Sequence, residues 1–377
     1  MLADNATGIL ICSGGWRLPM TWANIALLRA YGTHLPVEVW HLRDEVTSAG
    51  REFLRLIGAR ARQLPHFGHR QGYYNVPFAL AETSFRRVLV LDSDFTPVDG
   101  SLHNLFNHRA FLEHGVLFAP DLLDLRKRDF YPTAWRRLGI QEPRCSGSAR
   151  CSAVLGTDSA LMVLDMDRCP GMTGALRVLA AEAGDTGAYG WAGDKELYQI
   201  AWQASGCQTP AFLPYPSLLG QHSAALEYFV GIAMAHHASD GTAPLGIHWA
   251  WSKALLQDRI PALPEMQTAP RGGYADPSEH HYNHPEEYAR RILEASGEVR
   301  EHFYALNLAT CYRADGTVAP CTIRPVAFAS VITDLSGALA FARWALHSCD
   351  DEGPIGARCP LRRRLPGQAR LRVRAEW

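Results

Sequence analysis

The chain has 377 residues, 47% of them hydrophobic and 20% charged, with a formal net charge of −1 at neutral pH. That length can bury a large core as one large or two modest domains, and the composition excludes wholesale disorder. A near-neutral balance gives no global electrostatic reason to expect nucleic acid or an acidic membrane as partner.

The opening "MLADNATGILICSGG" has no basic n-region, and its apolar run is far too short to span a bilayer. Gly8–Cys12 reads as a first strand, and a soluble cytoplasmic protein is the expectation. "SGGW", Ser13–Trp16, follows at once and precedes a helix near 20–31, with Pro19 in its permissive first turn. At such a strand–loop–helix junction Gly14 and Gly15 would let a nucleotide approach the backbone, or would simply make a tight turn. The glycine spacing fits neither GxGxxG nor the P-loop, so both are rejected. Further strands are expected at Val37–Leu42, Val88–Leu91, Val116–Phe118 and Leu161–Leu164. Helices are expected near 47–58, 76–84, 130–138, 173–183 and 194–204. This order predicts an α/β fold, a mixed, mostly parallel sheet flanked by helices on both faces.

Beyond residue 205 the texture changes. "TPAFLPYPSLLGQH" is loop-like, and "GIAMAHHASDGTAPLGIHWAW" reads as two short strands around the turn "SDG". Residues 258–285, rich in Pro, Gly and His, read as a linker. Then come a helix near 285–302, a hairpin around "RADG", a helix at 336–347 and a basic tail. The expected organisation is one domain over 1–257 and a linker with an α+β extension over 258–377. The nine cysteines are odd in number and form no CxxC pair. Cys145–Cys151 and Cys311–Cys321 could each close a short loop, but unpaired intracellular thiols are the expected state.

The stretch "RRVLVLDSDFTPVDG", residues 86–100, runs an apolar strand into two aspartates, Asp92 and Asp94. Val88–Leu91 has the make-up of a strand buried on both faces, and ligands collect at the carboxyl ends of such strands. Two carboxylates there repel each other unless a cation, a proton or a phosphate-bound metal lies between them. One reading is a phosphatase of the haloacid dehalogenase type, with Asp92 as nucleophile and Asp94 as acid/base. It weakens further along: "GDKEL" at 193–197 imitates that family's later acidic motif, but Tyr198 stands where a second aspartate belongs. The other reading is a nucleotide-sugar transferase, in which Mn²⁺ or Mg²⁺ on the carboxylates neutralises the diphosphate leaving group. Ser93, between the two acids, then lies at the donor.

Several blocks in order resemble the fungal-type α-mannosyltransferases. "GILICSGGWRLPMTWANIALLRAYGTHLPVEVWHLRDE" is similar to that family's opening, and "YNVPFALAETSFRRVLVLDSDFTPV" to its L-x-L-D-x-D-x-x-P-V stretch. "GVLFAPDLLDL" and "AGDKELYQIAW" follow in the family's order, so the resemblance covers roughly residues 8–255. It implies a GT-A fold over 1–257, a GDP- or UDP-sugar donor, a hydroxyl acceptor such as a glycan, and a divalent metal at Asp92 and Asp94. It also implies transfer of a hexose, mannose favoured, with retention of configuration. Two positions depart: Val76 stands for the family's lysine, and its E-S-G-Q block becomes Asp158–Leu161, "DSAL". Those departures motivate a third possibility, a degenerate binding module.

GT-A enzymes commonly take a third metal ligand from a histidine beyond the sheet. His248 in "GIHWAW" is the choice, with His222, His236 and His237 as rivals. Asp194 opens a helix, either as an N-cap or with its carboxylate against the sugar or the acceptor hydroxyl. Asp158 is a weaker candidate for the same region. Asp44, after the second strand, could contact the nucleoside or cap a helix. Trp249 and Trp251 would suit stacking on an acceptor sugar, but most buried tryptophans are simply core.

Overall fold

The structure is a computed structural model that describes residues 7–43, 45–65, 74–124, 155–186, 194–223, 228–239, 244–249, 267–270, 303–307 and 322–326. Its elements run β1 (Thr7–Cys12), α1 (Leu18–Ala30), β2 (Val37–His41), α2 (Ser48–Leu56), β3 (Ala59–Gln63), α3 (Asn75–Glu82), β4 (Arg87–Asp92) and β5 (Phe95–Pro97). They continue with α4 (Arg109–His114), β6 (Val116–Asp124), β7 (Leu155–Asp165), α5 (Met172–Thr186), α6 (Lys195–Ala204), β8 (Ala211–Phe212), β9 (Ser217–Ser223), β10 (Tyr228–His237) and β11 (Pro244–His248). β12 (Gln267–Pro270), β13 (Phe303–Asn307) and β14 (Thr322–Val326) complete the series.

The first sheet has the order β3-β2-β1-β4-β7-β6-β8. The β1–β2, β2–β3, β1–β4 and β6–β8 pairs are parallel, while β7 runs antiparallel to β4 and β6. This is the mixed, mostly parallel sheet flanked by helices that the strand–helix alternation predicts. Its strands alternate between two cores. Ile9 and Ile11, Leu89 and Leu91, and Leu161 and Val163 face α1 and α2, where Trp22, Ile25, Leu28, Phe53 and Leu54 cover them. Leu10, Val88, Val90, Met162 and Leu164 face the other layer, built from α3, α5 and α6 with Leu80, Met172, Leu176, Tyr198 and Trp202. Burial on both faces is why these strands read as unbroken apolar runs.

The expected strands all form, and β6 and β7 run well beyond the apolar segments that announced them. β3, "ARARQ", is a strand the sequence analysis lacks: it pairs only with β2, at the sheet edge, and its arginines leave it mostly exposed. The proline-rich stretch read as loop contains β8 and all of β9 but its last residue. The strands around "SDG" form as the antiparallel pair β10–β11, and β13–β14 flank "RADG" as the expected hairpin. The helices expected near 130–138, 285–302 and 336–347 lie outside the described residues.

The second sheet has the order β14-β13-β9-β10-β11-β5, with β12 also paired to β10. All its pairs are antiparallel. Its last strand, β5, is the segment that leaves the Asp92–Asp94 turn, so the two sheets meet at that turn. Pro97, the last residue of β5, does not disturb the join, because β5 is an edge strand of only three residues.

The expectation of unpaired thiols is corrected: Cys169, after β7, and Cys207, after α6, form a disulfide with Cα atoms 5.8 Å apart. Their separation of 38 residues carries no local signal, and only the packing of α5 and α6 under the sheet brings them together. Disulfides persist chiefly in oxidising compartments, which weighs against the cytoplasmic expectation. Cys12 is a free thiol. No described helix is long and apolar enough to cross a membrane.

Candidate active site

The site forms where β1 and β4 end side by side, Cys12 level with Asp92. Asp92 closes β4, and the chain then turns through Ser93 and Asp94 into β5. Within the turn the Ser93 backbone N–H and hydroxyl both donate to Asp92 Oδ1, at 2.6 and 3.2 Å. Ser93 is 1% exposed, so its side chain serves the aspartate. From α1, Asn24 donates to the Ser93 carbonyl at 2.8 Å and accepts from Thr96 Oγ1 at 3.0 Å. Trp249 Nε1 donates in turn to Thr96 Oγ1 at 3.0 Å. This buried polar chain ties the turn to α1 on one side and to β11 on the other. Asn24 and Thr96 are residues that sequence reasoning missed, because an amide inside an apolar helix has no motif of its own.

β5 pairs with β11 in the register His248↔Phe95, and the Trp249 backbone N–H donates to the Asp94 carbonyl at 3.1 Å. The histidine therefore sits beside the acidic turn by strand pairing. Gly246 is required for that pairing: a Cβ there would stand 2.3 Å from the Phe95 ring and 2.8 Å from the Thr96 carbonyl. Ligand atoms of Asp92, Asp94 and His248 all lie within 4.8 Å of one another, with His248 Nε2 3.6 Å from Asp94 Oδ1. Two carboxylates and one imidazole make a donor set of hard oxygens with a borderline nitrogen, which suits Mn²⁺ or Mg²⁺.

Behind His248 lies Asp158, 4% exposed on β7. Its Oδ2 is 2.8 Å from both His248 Nδ1 and His236 Nε2, and its Oδ1 accepts from the Ala160 N–H at 3.1 Å. Burial alone raises the Asp158 pKa, but the charge of His248 and the hydrogen bonds from both histidines outweigh it and hold the carboxyl well below its usual range. Burial likewise pulls His248 down, yet the charges of Asp158 and Asp94 win and push it up to about 9. Of the rival histidines, His236 thus joins the network from behind. His237 is 3.0 Å from Ser217 Oγ, and the side chain of His222 lies outside the described residues.

Asp194 occupies the N-cap position of α6, but its side chain makes no capping bond. Its Oδ2 instead accepts a short hydrogen bond from the Tyr198 hydroxyl, one turn on. Burial first, and then the charge of Asp194, drive the Tyr198 pKa well above its ordinary value. The same is true of the Cys12 thiol, where burial is followed by the charges of Asp194, Asp92 and Glu45. Asp194 and Asp92 thus act on a common region at the end of β1. Tyr198, the residue that spoils the phosphatase motif, is fully buried beneath Asp194. Lys195, beside it, forms an ion pair with Asp121 on β6.

Gly14 is extended, and a Cβ on it would stand 2.4 Å from Glu45 Cβ, so this glycine serves the packing of the loop after β2. Gly15 has φ +54° with open space around it, and its N–H donates to the Glu45 carbonyl at 2.8 Å. Asp44 lies outside the described residues, as does Trp251. Trp249 is 4% exposed and bonded to Thr96, in agreement with its reading as core.

A family model described as "Mannosyltransferase putative" matches residues 6–149. No curated protein matches the chain. Among solved structures, the glycosyltransferase GlyE of Streptococcus pneumoniae is 13% identical, with a TM-score of 0.37 over 55% of this chain and 45% of that one. The galactosyltransferase LgtC, solved with donor and acceptor sugar analogs, is 11% identical with a TM-score of 0.39, covering 55% and 73%. The Mn/GDP form of core-mannan synthase A from Aspergillus fumigatus gives 11% and 0.39, covering 53% and 70%. The chain spans less than half the length of the pneumococcal protein. Likenesses this distant assign no donor, metal or acceptor to the chain. The family model thus likens to the mannosyltransferases the stretch 6–149, which holds Gly14, Gly15, Asp92, Ser93 and Asp94.

Proposed function

We propose that the protein is a metal-dependent glycosyltransferase that moves a hexose, mannose favoured, from a GDP- or UDP-sugar to a hydroxyl acceptor such as a glycan. The observation that carries this reading is the convergence of Asp92, Asp94 and His248 at the carboxyl end of β4. These three residues would hold Mn²⁺ or Mg²⁺, which supplies electrostatic neutralisation of a departing diphosphate. The chain's own part is to fix the ligands. Ser93 orients Asp92, Asn24 and Thr96 brace the turn, and β5–β11 pairing delivers His248. The loop at Gly14 and Gly15 is the place for the nucleoside, since Gly15 opens to free space beside the end of β1.

Asp194 is the chain's candidate for the acceptor side, and the Tyr198 hydrogen bond orients its carboxylate toward that task. With retention, as the family resemblance implies, it steadies the acceptor or the sugar. With inversion it becomes the general base. Asp158 faces the histidines, and its part is to position them. The phosphatase reading is not favoured, because it has no use for a histidine held against both aspartates.

Calorimetric titration of GDP and UDP, each with and without Mn²⁺, tests the proposal on wild type and Asp94→Ala. Binding of one nucleotide that needs both Mn²⁺ and Asp94 is expected. Nucleotide binding indifferent to metal, or phosphate-ester turnover in its place, would overturn it. NMR of the product anomer decides retention, since a β-linked product from an α-linked donor rules it out.

A further inference from the structure

We propose that Asp158 is the positioning residue of His248, fixing that ring so that Nδ1 carries a proton and Nε2 faces Asp92 and Asp94. This rests on the metal reading above. A carboxylate only accepts hydrogen bonds, and a neutral imidazole has one donor and one acceptor nitrogen. Asp158 Oδ2 lies 2.8 Å from His248 Nδ1, so Nδ1 is the donor, and once the ring is neutral, as ligation of a metal requires, the lone pair is on Nε2. Nε2 is the nitrogen that points to Asp94, at 3.6 Å. The network therefore selects the tautomer that a metal needs.

His236 braces the same carboxylate. β10 and β11 pair in the register Met234↔His248 and His236↔Gly246, which puts the two histidines on one face as diagonal neighbours. His236 Nε2 donates to the same Oδ2 at 2.8 Å, and the Ala160 N–H holds Oδ1. Asp158 is thereby pinned from two sheets at once, in a setting where every member is buried. Asp158, His236 and His248 also lie close enough together to hold an ion of their own. Both 2.8 Å bonds, however, commit an imidazole N–H to Asp158 and leave no lone pair facing it.

The test compares wild type, Asp158→Asn and His236→Gln. The asparagine keeps the size of the side chain, and if its oxygen takes the Ala160 N–H then its NH₂ meets His248 Nδ1. That contact favours the opposite tautomer. Mn²⁺ titration followed by EPR, without nucleotide, is expected to show about 10–100-fold weaker binding in Asp158→Asn. The unfolding midpoint in chelator should stay near that of wild type. The Nδ1-bound proton of His248, followed by NMR in the Mg²⁺ form, should be lost in Asp158→Asn. His236→Gln retains a donor and should bind Mn²⁺ within a few-fold of wild type. Unchanged affinity with the Nδ1 proton retained in Asp158→Asn overturns the proposal and leaves the metal site standing. Should Asp158→Asn not fold, a wild-type His248 protonated on Nε2 alone in the Mg²⁺ form overturns it equally. Two Mn²⁺ ions per chain, one of them lost in His236→Gln, would also overturn it. Wild type that binds no Mn²⁺ yet loses the Nδ1 proton on Asp158→Asn supports the positioning role while removing the metal reading.

Discussion

Glu38 on β2 and Asp158 on β7 are both buried carboxylates of the first sheet, and they do different work. Glu38 is 1% exposed: its Oε1 accepts from Arg62 Nε at 3.1 Å, and its Oε2 from Trp40 Nε1 at 3.0 Å and Thr83 Oγ1 at 2.8 Å. Asp158 is just as fully satisfied, but two of its partners are imidazoles. The donors of Glu38 lead nowhere except to the sheet edge and the end of α3. One donor of Asp158 leads on through its second nitrogen to Asp94. Burial and saturation are therefore common to structural and site carboxylates alike. The group that the donor faces next is what separates them.

The largest expected effect falls on the end of that second chain. Asp92→Ala or Asp94→Ala should lower sugar transfer by about 10²–10³-fold or more, the scale of losing a main electrostatic stabiliser. Glu38→Gln should leave transfer within a few-fold of wild type. If the two aspartate variants turn over normally in the same transfer assay, the site is misplaced.

Glu38→Ala should act on stability alone. It strands a guanidinium, an indole N–H and a hydroxyl, and should cost about 2–4 kcal/mol in urea unfolding. The Mn²⁺ affinity of the remaining folded protein should be unchanged, and a parallel loss of metal binding would erase the distinction between the two carboxylates.

Gly246→Ala sharpens the comparison from the β11 side. The added Cβ would meet the Phe95 ring and the Thr96 carbonyl, and overpacking of this kind costs about 1–3 kcal/mol. Because His248 is two residues along the same strand, Mn²⁺ affinity should fall together with the midpoint. A drop in stability with affinity intact would show that the β5–β11 join does not deliver the histidine.

The smallest effect is one of pH on the metal-free protein. His248 is raised from an ordinary value of about 6.5 to about 9, so its stabilisation is complete below about pH 6.5 and is lost as pH rises through about 9. The depressed Asp158 carboxyl contributes above the usual carboxylate range and is lost as pH falls well into acid. In EDTA, the difference in unfolding midpoint between wild type and His248→Gln should shrink steadily from pH 6.5 to 9. A difference that stays flat over that window would mean His248 is not held by the acids around it.

The apolar runs at Gly8–Cys12, Val88–Leu91 and Leu161–Leu164 announced strands because each is buried on both faces, and such runs have few other uses. β3 was illegible because an edge strand of alternating arginines has no apolar signature. Disulfide partners 38 residues apart were illegible for a different reason, since only packing under the sheet makes them neighbours. In the site, the D-x-D pair was legible as two acids at the end of a buried strand. Asn24 and Thr96 were not, and His236 was legible only as a rival ligand and not as a partner of Asp158, because each acts through a hydrogen bond to a residue far along the chain.

By itself, then, the sequence determined the order of strands and helices, the two-sided burial of the central strands, and the emergence of Asp92 and Asp94 at the end of one of them. These follow from local composition and hydrophobic period, which act over a few residues. The tertiary structure decided that β5 carries the acidic turn into a second sheet, that His248 stands beside it, and that Asp158 and His236 stand behind. Those contacts join residues 78 to 154 positions apart, from Asp158 with His236 to Asp94 with His248. Only strand pairing and the closure of the two sheets at one turn can bring such distant side chains within hydrogen-bonding reach.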